Sequence, residues 1–234
     1  VFVYHPHPSL LRVAPTVGTT LGGTPVLLLG ANFTGVPAIA CAFGRTALVG
    51  AIYVNSSMLV CGSPPLPAGT YAVGVSINGI DFEPEEDSVA RASAITAIVA
   101  TDPTAAVPAH GLTFSAVAPP QAADVQPDTG PAAGGTAVVL SRFLNGRLPL
   151  GLLASAQPPL RPLCRINGVA APAGNVTAES VICVTPPMPA AAMTATLEGG
   201  VRTSVPIELS LNGIDFIPAL PTFTYHGEPT LLPS

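Results

Sequence analysis

The pentapeptide Asn78-Gly-Ile-Asp-Phe82 recurs intact as Asn212-Gly-Ile-Asp-Phe216. Five identical residues in a row make this chain a tandem repeat, and a repeat constrains the fold more than any other feature of a sequence. The other landmarks recur in the same order. Gly22-Gly23-Thr24 returns as Gly134-Gly135-Thr136, each followed by an apolar run, and Phe2 and Phe114 lie equally far upstream of those threonines. Cys41 and Cys61 answer to Cys164 and Cys183, each second cysteine closely followed by a diproline, Pro64-Pro65 or Pro186-Pro187. Phe223-Thr-Tyr225-His226 echoes Phe2-Val-Tyr4-His5, so residues 1–4 read as the last strand of a preceding repeat. Repeat 1 then spans 5–118 with an insertion at about 83–112, repeat 2 spans 119–226, and 227–234 is a linker or the start of another repeat.

Within each repeat the apolar runs are short and bounded by turn residues: Val26 to Leu29, Tyr71 to Ile77, Val138 to Leu140, Val205 to Leu211. That is strand patterning, and no stretch carries a convincing helical period. The 28 Pro and 23 Gly interrupt every apolar run before the roughly 20 residues that a membrane-spanning helix needs. Asn78-Gly79 and Asn212-Gly213 each predict a two-residue type I′ hairpin turn, because Asn and Gly tolerate the positive φ that this turn demands. Many short strands and no helix give an all-β chain of two tandem antiparallel sandwiches.

The order Pro15-x-x-Gly18, Gly22-Gly-Thr24, Gly30-x-Asn32-Phe33, Cys41-x-Phe-Gly44 and Cys61-x-Ser-Pro-Pro65, then a strand, Asn-Gly and a closing aromatic, resembles the IPT/TIG repeat. The resemblance implies an immunoglobulin-like fold. Repeat 2 departs from the pattern, with Ser141-Arg-Phe143 and Cys164-Arg-Ile-Asn-Gly168 in place of the third and fourth motifs. Such repeats occur in plexin-like and fibrocystin-like ectodomains, in algal and ciliary surface proteins, in starch-acting enzymes and in DNA-binding transcription factors. Function therefore has to be argued from the residues themselves.

The four cysteines fall two per repeat, about twenty residues apart, without the C-x-x-C spacing of zinc or redox sites. Disulfides Cys41–Cys61 and Cys164–Cys183 are the natural pairing, and four buried thiols of a cytosolic protein are the alternative. Three sequons, at Asn32, Asn55 and Asn175, point to an oxidising, glycosylating compartment. Asn32 also occupies a motif position, which leaves Asn55 and Asn175, in corresponding stretches before the second cysteine, as the better acceptors.

Asp81, Glu83, Glu85, Glu86 and Asp87 form the one acidic cluster. It lacks the Gly-punctuated ligand spacing of a calcium loop, so a solvated loop is the preferred reading and calcium the alternative. His5, His7, His110 and His226 lie near repeat junctions with no cysteine or carboxylate at ligand spacing, and are read as linker residues. The net charge of −5, with eight dispersed Arg and no Lys, argues against nucleic acid. Only 9% of residues are charged and no nucleophile motif is present, so no enzyme activity and no cofactor are expected.

The expected function is that of a non-catalytic structural or adhesive segment of an extracellular, cell-surface glycoprotein, in which the repeats act as spacers with lateral contacts in an array or fibre. A ciliary or cell-wall filament of a GC-rich alga fits the composition. The expected partners are neighbouring repeats, protein partners or copies of itself, and N-linked glycans. The stalk of a plexin-like receptor ectodomain is the second reading, and a carbohydrate-binding accessory module the third.

Overall fold

A computed structural model of the chain describes residues 6–44, 47–82, 112–156, 158–188, 195–197 and 200–227. The chain divides into two compact units, Val1–Ala118 and Pro119–Ser234. The strand proposed for residues 1–4, the insertion beyond residue 82, Glu83, Glu85, Glu86, Asp87, His5 and His110 lie outside the described residues.

The first unit holds strands β1 (Ser9–Ala14), β2 (Val17–Thr19), β3 (Pro25–Ala31), β4 (Ala40–Phe43), β5 (Ala47–Gly50), β6 (Ile52–Asn55), β7 (Met58–Gly62), β8 (Gly69–Ser76) and β9 (Thr113–Val117). They form two sheets, ordered β1-β3-β7-β6 and β2-β9-β8-β4-β5. All pairings are antiparallel except that of β2 with β9. The first edge strand thus changes sheets part-way along. The change falls at Ala14-Pro15, where the proline has no N–H to offer a ladder. Between the sheets lie alternate residues of each strand, among them Val26, Leu28, Leu59, Val73, Val75 and Phe114.

The second unit repeats the plan with β10 (Ala122–Gln126), β11 (Thr129–Pro131), β12 (Ala137–Phe143), α1 (Leu150–Ser155), β13 (Leu163–Ile166), β14 (Val169–Pro172), β15 (Ser180–Val184), β16 (Ala195–Leu197), β17 (Gly200–Val205), β18 (Ile207–Ser210), β19 (Ile217–Pro218) and β20 (Phe223–His226). One sheet is β10-β12-β15. The strands facing it form β11-β20-β17-β16 and β14-β13-β18-β19. In the first unit the single strand β8 pairs with β9 through its first half and with β4 through its second. Here Pro206 divides the equivalent stretch into β17 and β18, so the expected continuous strand from Val205 to Leu211 is broken where a ladder N–H is missing.

Helix α1 corrects the expectation of a chain without helix. It occupies the extra residues that precede Cys164, and with Leu148 it sends Leu153 into the core. Six residues are too few to show a 3.6-residue period, and no side chain caps the N-terminus, so the sequence carries no start signal.

The two Asn-Gly motifs need a second correction. A type I′ turn requires positive φ at both central residues. Only the glycines have it, at 76° for Gly79 and 78° for Gly213. The asparagine side chain instead builds the loop. Asn78 Oδ1 accepts from the backbone N–H of Ile80 and of Asp81, both at 2.9 Å, and its Nδ2 donates to Asp81 Oδ2 at 2.7 Å. Buried Ser76 Oγ accepts from Gly79 N–H at 2.8 Å. Asn212, Ser210 and Asp215 reproduce every one of these bonds in the second unit. There the chain returns as β19 only after a wider loop, pairing Leu209 with Ile217. Asn and Asp side chains compete with turns of pure backbone in this way, which dipeptide rules do not capture.

The glycine motifs have a packing explanation. Gly22 has φ +76°, and a Cβ there would lie 2.5 Å from Pro65 N; a Cβ on Gly134, at φ +77°, would lie 2.6 Å from Pro186 C and Pro187 N. The Gly-Gly turn therefore docks backbone to backbone on the diproline. In the same way a Cβ on Gly18 would meet the Phe114 ring at 2.5 Å and the Thr24 hydroxyl, and one on Gly130 would meet the Phe223 ring at 2.8 Å and the Thr136 hydroxyl. Glycine, threonine and closing phenylalanine form one clamp, built twice.

Candidate functional site

The structure forms both disulfides, and each joins one sheet to the other. Cys41 on β4 meets Cys61 on β7 with Cα atoms 6.4 Å apart, and Cys164 on β13 meets Cys183 on β15 at 5.8 Å. Each pair lies in the core among Val and Leu side chains. Each closes a loop of 20 or 19 residues. On the chain-entropy argument a loop of that size stabilises the fold by about 3 kcal/mol. A core of Ala, Val and Leu with few aromatics gains much from such a cross-sheet link.

The three sequons sit in different settings. Asn32 has φ 61° and its Nδ2, the atom that would carry a sugar, donates to His7 O at 3.0 Å. Thr34 of the same sequon has its hydroxyl buried with no hydrogen-bond partner among the described residues. Asn55 ends β6 at the tip of its hairpin with β7, exposed, with Oδ1 accepting from Ser57 N–H at 2.9 Å. Asn175 is exposed in the segment that precedes β15, where its backbone O accepts from Ile182 N–H at 2.9 Å.

Asp81 is engaged by Asn78 and belongs to the loop just described. Among the described residues no group of three or more His, Cys, Asp or Glu comes together as a metal site. His7 and His226 belong to different units.

Two features carry no signal in the repeat pattern. The first is a polar cluster on the second unit: Arg165 Nε and Nη2 donate to the two carboxylate oxygens of Glu208 at 2.5 and 2.8 Å, and the guanidinium lies 4.0 Å from the centre of the Phe216 ring. Hydrogen bonding to Glu208 raises the Arg165 pKa and locks its charge. Register explains the pairing, since Arg165 and Glu208 face each other across β13 and β18. The sequence signal is an Arg directly after Cys164 and a Glu in the strand before the Asn-Gly motif, but only the register brings them together. The second is an open cavity of about 570 Å³ lined by Arg142, Phe143, Arg147, Thr177, Glu179 and Ser180. Its charged pair, Arg147 and Glu179 at 2.7 Å, is largely exposed and adds little stability.

Tyr225, buried on β20, donates its hydroxyl to Pro186 O at 2.7 Å and so ties the closing strand to the diproline. Burial raises its pKa, against a smaller lowering by Thr185. A raised folded-state value means that the stabilisation is complete below the ordinary tyrosine value of about 10 and is lost as pH rises through the folded value. Tyr225→Phe should lower stability by about 1 kcal/mol at neutral pH, through the lost hydrogen bond. It should also flatten the alkaline loss seen in denaturant unfolding of the second unit.

Compared with known proteins, residues 8–89 match the IPT/TIG domain family. No curated protein matches the chain in sequence. Among solved structures, the plexin A4 full extracellular region aligns over 97% of this chain and 16% of its own, at 14% identity and TM-score 0.49. The surface protein SGBP-B of the Bacteroides ovatus mixed-linkage glucan utilization locus, in complex with a mixed-linkage heptasaccharide, aligns over 95% of this chain and 46% of its own, at 12% identity and TM-score 0.29. Invasin, a bacterial integrin-binding protein, aligns over 96% and 40%, at 13% identity and TM-score 0.29. This chain thus spans less than half the length of each.

Proposed function

We propose, from the match of residues 8–89 to the IPT/TIG family, that the chain is a non-catalytic spacer segment of an extracellular glycoprotein, with both units repeats of that kind. The observation that carries this reading is the duplicated cross-sheet disulfide. Buried disulfides persist in oxidising compartments, and a pair in equivalent strands of two tandem units suits a chain exposed outside the cell. The finer reading is a surface array or fibre, such as a ciliary or cell-wall filament, with lateral contacts between protein neighbours and N-glycans on Asn55 and Asn175. The plexin-like stalk is the second reading and rests on the same domain.

Pulling single molecules from their ends tests the spacer role. Two separate unfolding events are expected, one per unit. Under reducing conditions each should lengthen by roughly 70 Å, the extended span of about 20 released residues at ~3.5 Å each. A chain that extends without discrete events would contradict a spacer that resists tension.

A further inference from the structure

We propose that an N-linked glycan on Asn55 covers an apolar outer sheet face of the first unit and keeps that face from pairing with a second copy of the chain; this rests on the extracellular reading above. Side chains alternate along a strand, so with Val26, Leu28, Leu59 and Cys61 buried between the sheets, their neighbours point outward. Register sorts those neighbours into two rows across the sheet β1-β3-β7-β6. One row runs Ala14, Leu27, Val60, Ile52, and the next runs Arg12, Leu29, Met58, Asn55. Five of these eight are Leu, Val, Ile or Met; Ile52 is 67% exposed, and Leu27, Leu29, Met58 and Val60 are half-buried. Asn55 stands at the corner of the same face.

The edge beside that face is unguarded. Strand β6 is the outermost of its sheet, all four of its residues are exposed, and three are Ile52, Tyr53 and Val54. No charged residue occurs between Arg45 and Asp81, so β6 and β7 have none of the charges or prolines that normally blunt an exposed edge. The opposite edge, β1, carries Arg12. A contiguous apolar face beside an open edge is a surface that self-associates unless something covers it.

The second unit shows what happens without such a face. Its corresponding rows are Gln126, Val139, Ile182 and Asp124, Ser141, Ser180. Where the first unit has Ala14, Arg12, Leu29 and Met58, the second has Gln126, Asp124, Ser141 and Ser180. Beside β15 the segment 174–177 takes the place of β6, bridging Val176 to Val181 and bonding Ile182 on both sides. Both edge segments carry a sequon, and Asn55 is the one that stands beside an apolar face while Asn175 stands beside a more polar one. A branched sugar is bulky and solvated, and from Asn55 it lies over Ile52 and the end of β6.

The test uses the full chain secreted from a eukaryotic host, with peptide mapping of Asn55 and light scattering of the purified protein. Sugar should be found on Asn55 and the protein should be monomeric. Ser57→Ala removes the sequon but keeps the backbone N–H that bonds Asn55. That variant should show a roughly twofold rise in molar mass, the mark of a dimer, and Ile52→Lys added to it should restore the monomer. Enzymatic removal of sugar from the folded wild type should act like Ser57→Ala, while Asn175→Gln should leave the oligomeric state unchanged. An Asn55 that carries sugar while Ser57→Ala and the deglycosylated protein stay monomeric overturns this inference and leaves the extracellular reading intact. A bare Asn55 overturns it too, and bare Asn55 and Asn175 together overturn the glycoprotein reading with it.

Discussion

Replacing Phe114 by Ala should lower the stability of the first unit by about 4 kcal/mol, and Phe223→Ala should do the same to the second. Both rings are fully buried. Phe114 packs edge-on to Phe43 with ring centres 5.3 Å apart, and Phe223 packs edge-on to Tyr225 at 5.0 Å. Each ring also fills the space that a side chain on Gly18 or Gly130 would occupy, so on that side no side chain stands ready to fill the hole. For units of this size the loss corresponds to roughly 15 °C in Tm. Because each unit has its own core, calorimetry should show one transition moving and the other staying. Equal shifts of both transitions in either variant would contradict two separately packed units.

The second large effect separates backbone strain from collision. Gly22 and Gly23 both have positive φ, at 76° and 80°, so alanine at either carries the left-handed penalty of about 1 to 2 kcal/mol. A Cβ on Gly23 would have nothing within 4 Å of it, whereas one on Gly22 would meet the Pro64 and Pro65 backbone at 2.5 to 2.9 Å. Gly22→Ala should therefore cost at least about 2 kcal/mol more than Gly23→Ala, since the diproline cannot yield without moving β7. Gly134→Ala and Gly135→Ala should reproduce the difference in the second unit, where Gly135 is likewise open and Gly134 meets Pro186 and Pro187. Urea unfolding of the four variants measures it. Equal costs at the two glycines would mean that the diproline is not a fixed floor.

These residues also show how much can be read from the chain alone. Gly-Gly-Thr, the diproline and the closing Phe are far apart in sequence, yet each recurs because all are parts of one clamp whose geometry admits few residues. Repetition marks them before any contact is known. What repetition cannot give is the contact itself, that Gly22 rests on Pro65 and Gly18 beneath Phe114. The Asn-Gly dipeptide misleads because its rule considers only backbone angles, while here Asn78 Oδ1 and Ser76 Oγ supply the acceptors. Helix α1 escapes pattern reading because Leu-Gly-Leu-Leu-Ala-Ser is shorter than two helical turns. The apolar outer face of the first unit becomes visible only with register, since Leu27, Leu29, Met58, Val60 and Ile52 come from three strands.

The two units also handle the same sheet differently. Where the first has half-buried Leu29 and Met58, the second has Ser141 and Ser180, and an exposed Arg147–Glu179 pair lies beside that Ser180. A repeat constrains the inner faces, the clamp and the staple, because each unit needs its own core. Outer faces are free to diverge, and it is there that tandem copies of one fold acquire separate roles.

The measurement that bears most directly on the account is peptide mapping of the chain from its natural source without reduction, thiols blocked at lysis. Peptides joining Cys41 to Cys61 and Cys164 to Cys183, with no blocked thiol, are the predicted result, and place the chain in an oxidising compartment. Four blocked cysteines, or a link between the two units, would contradict it.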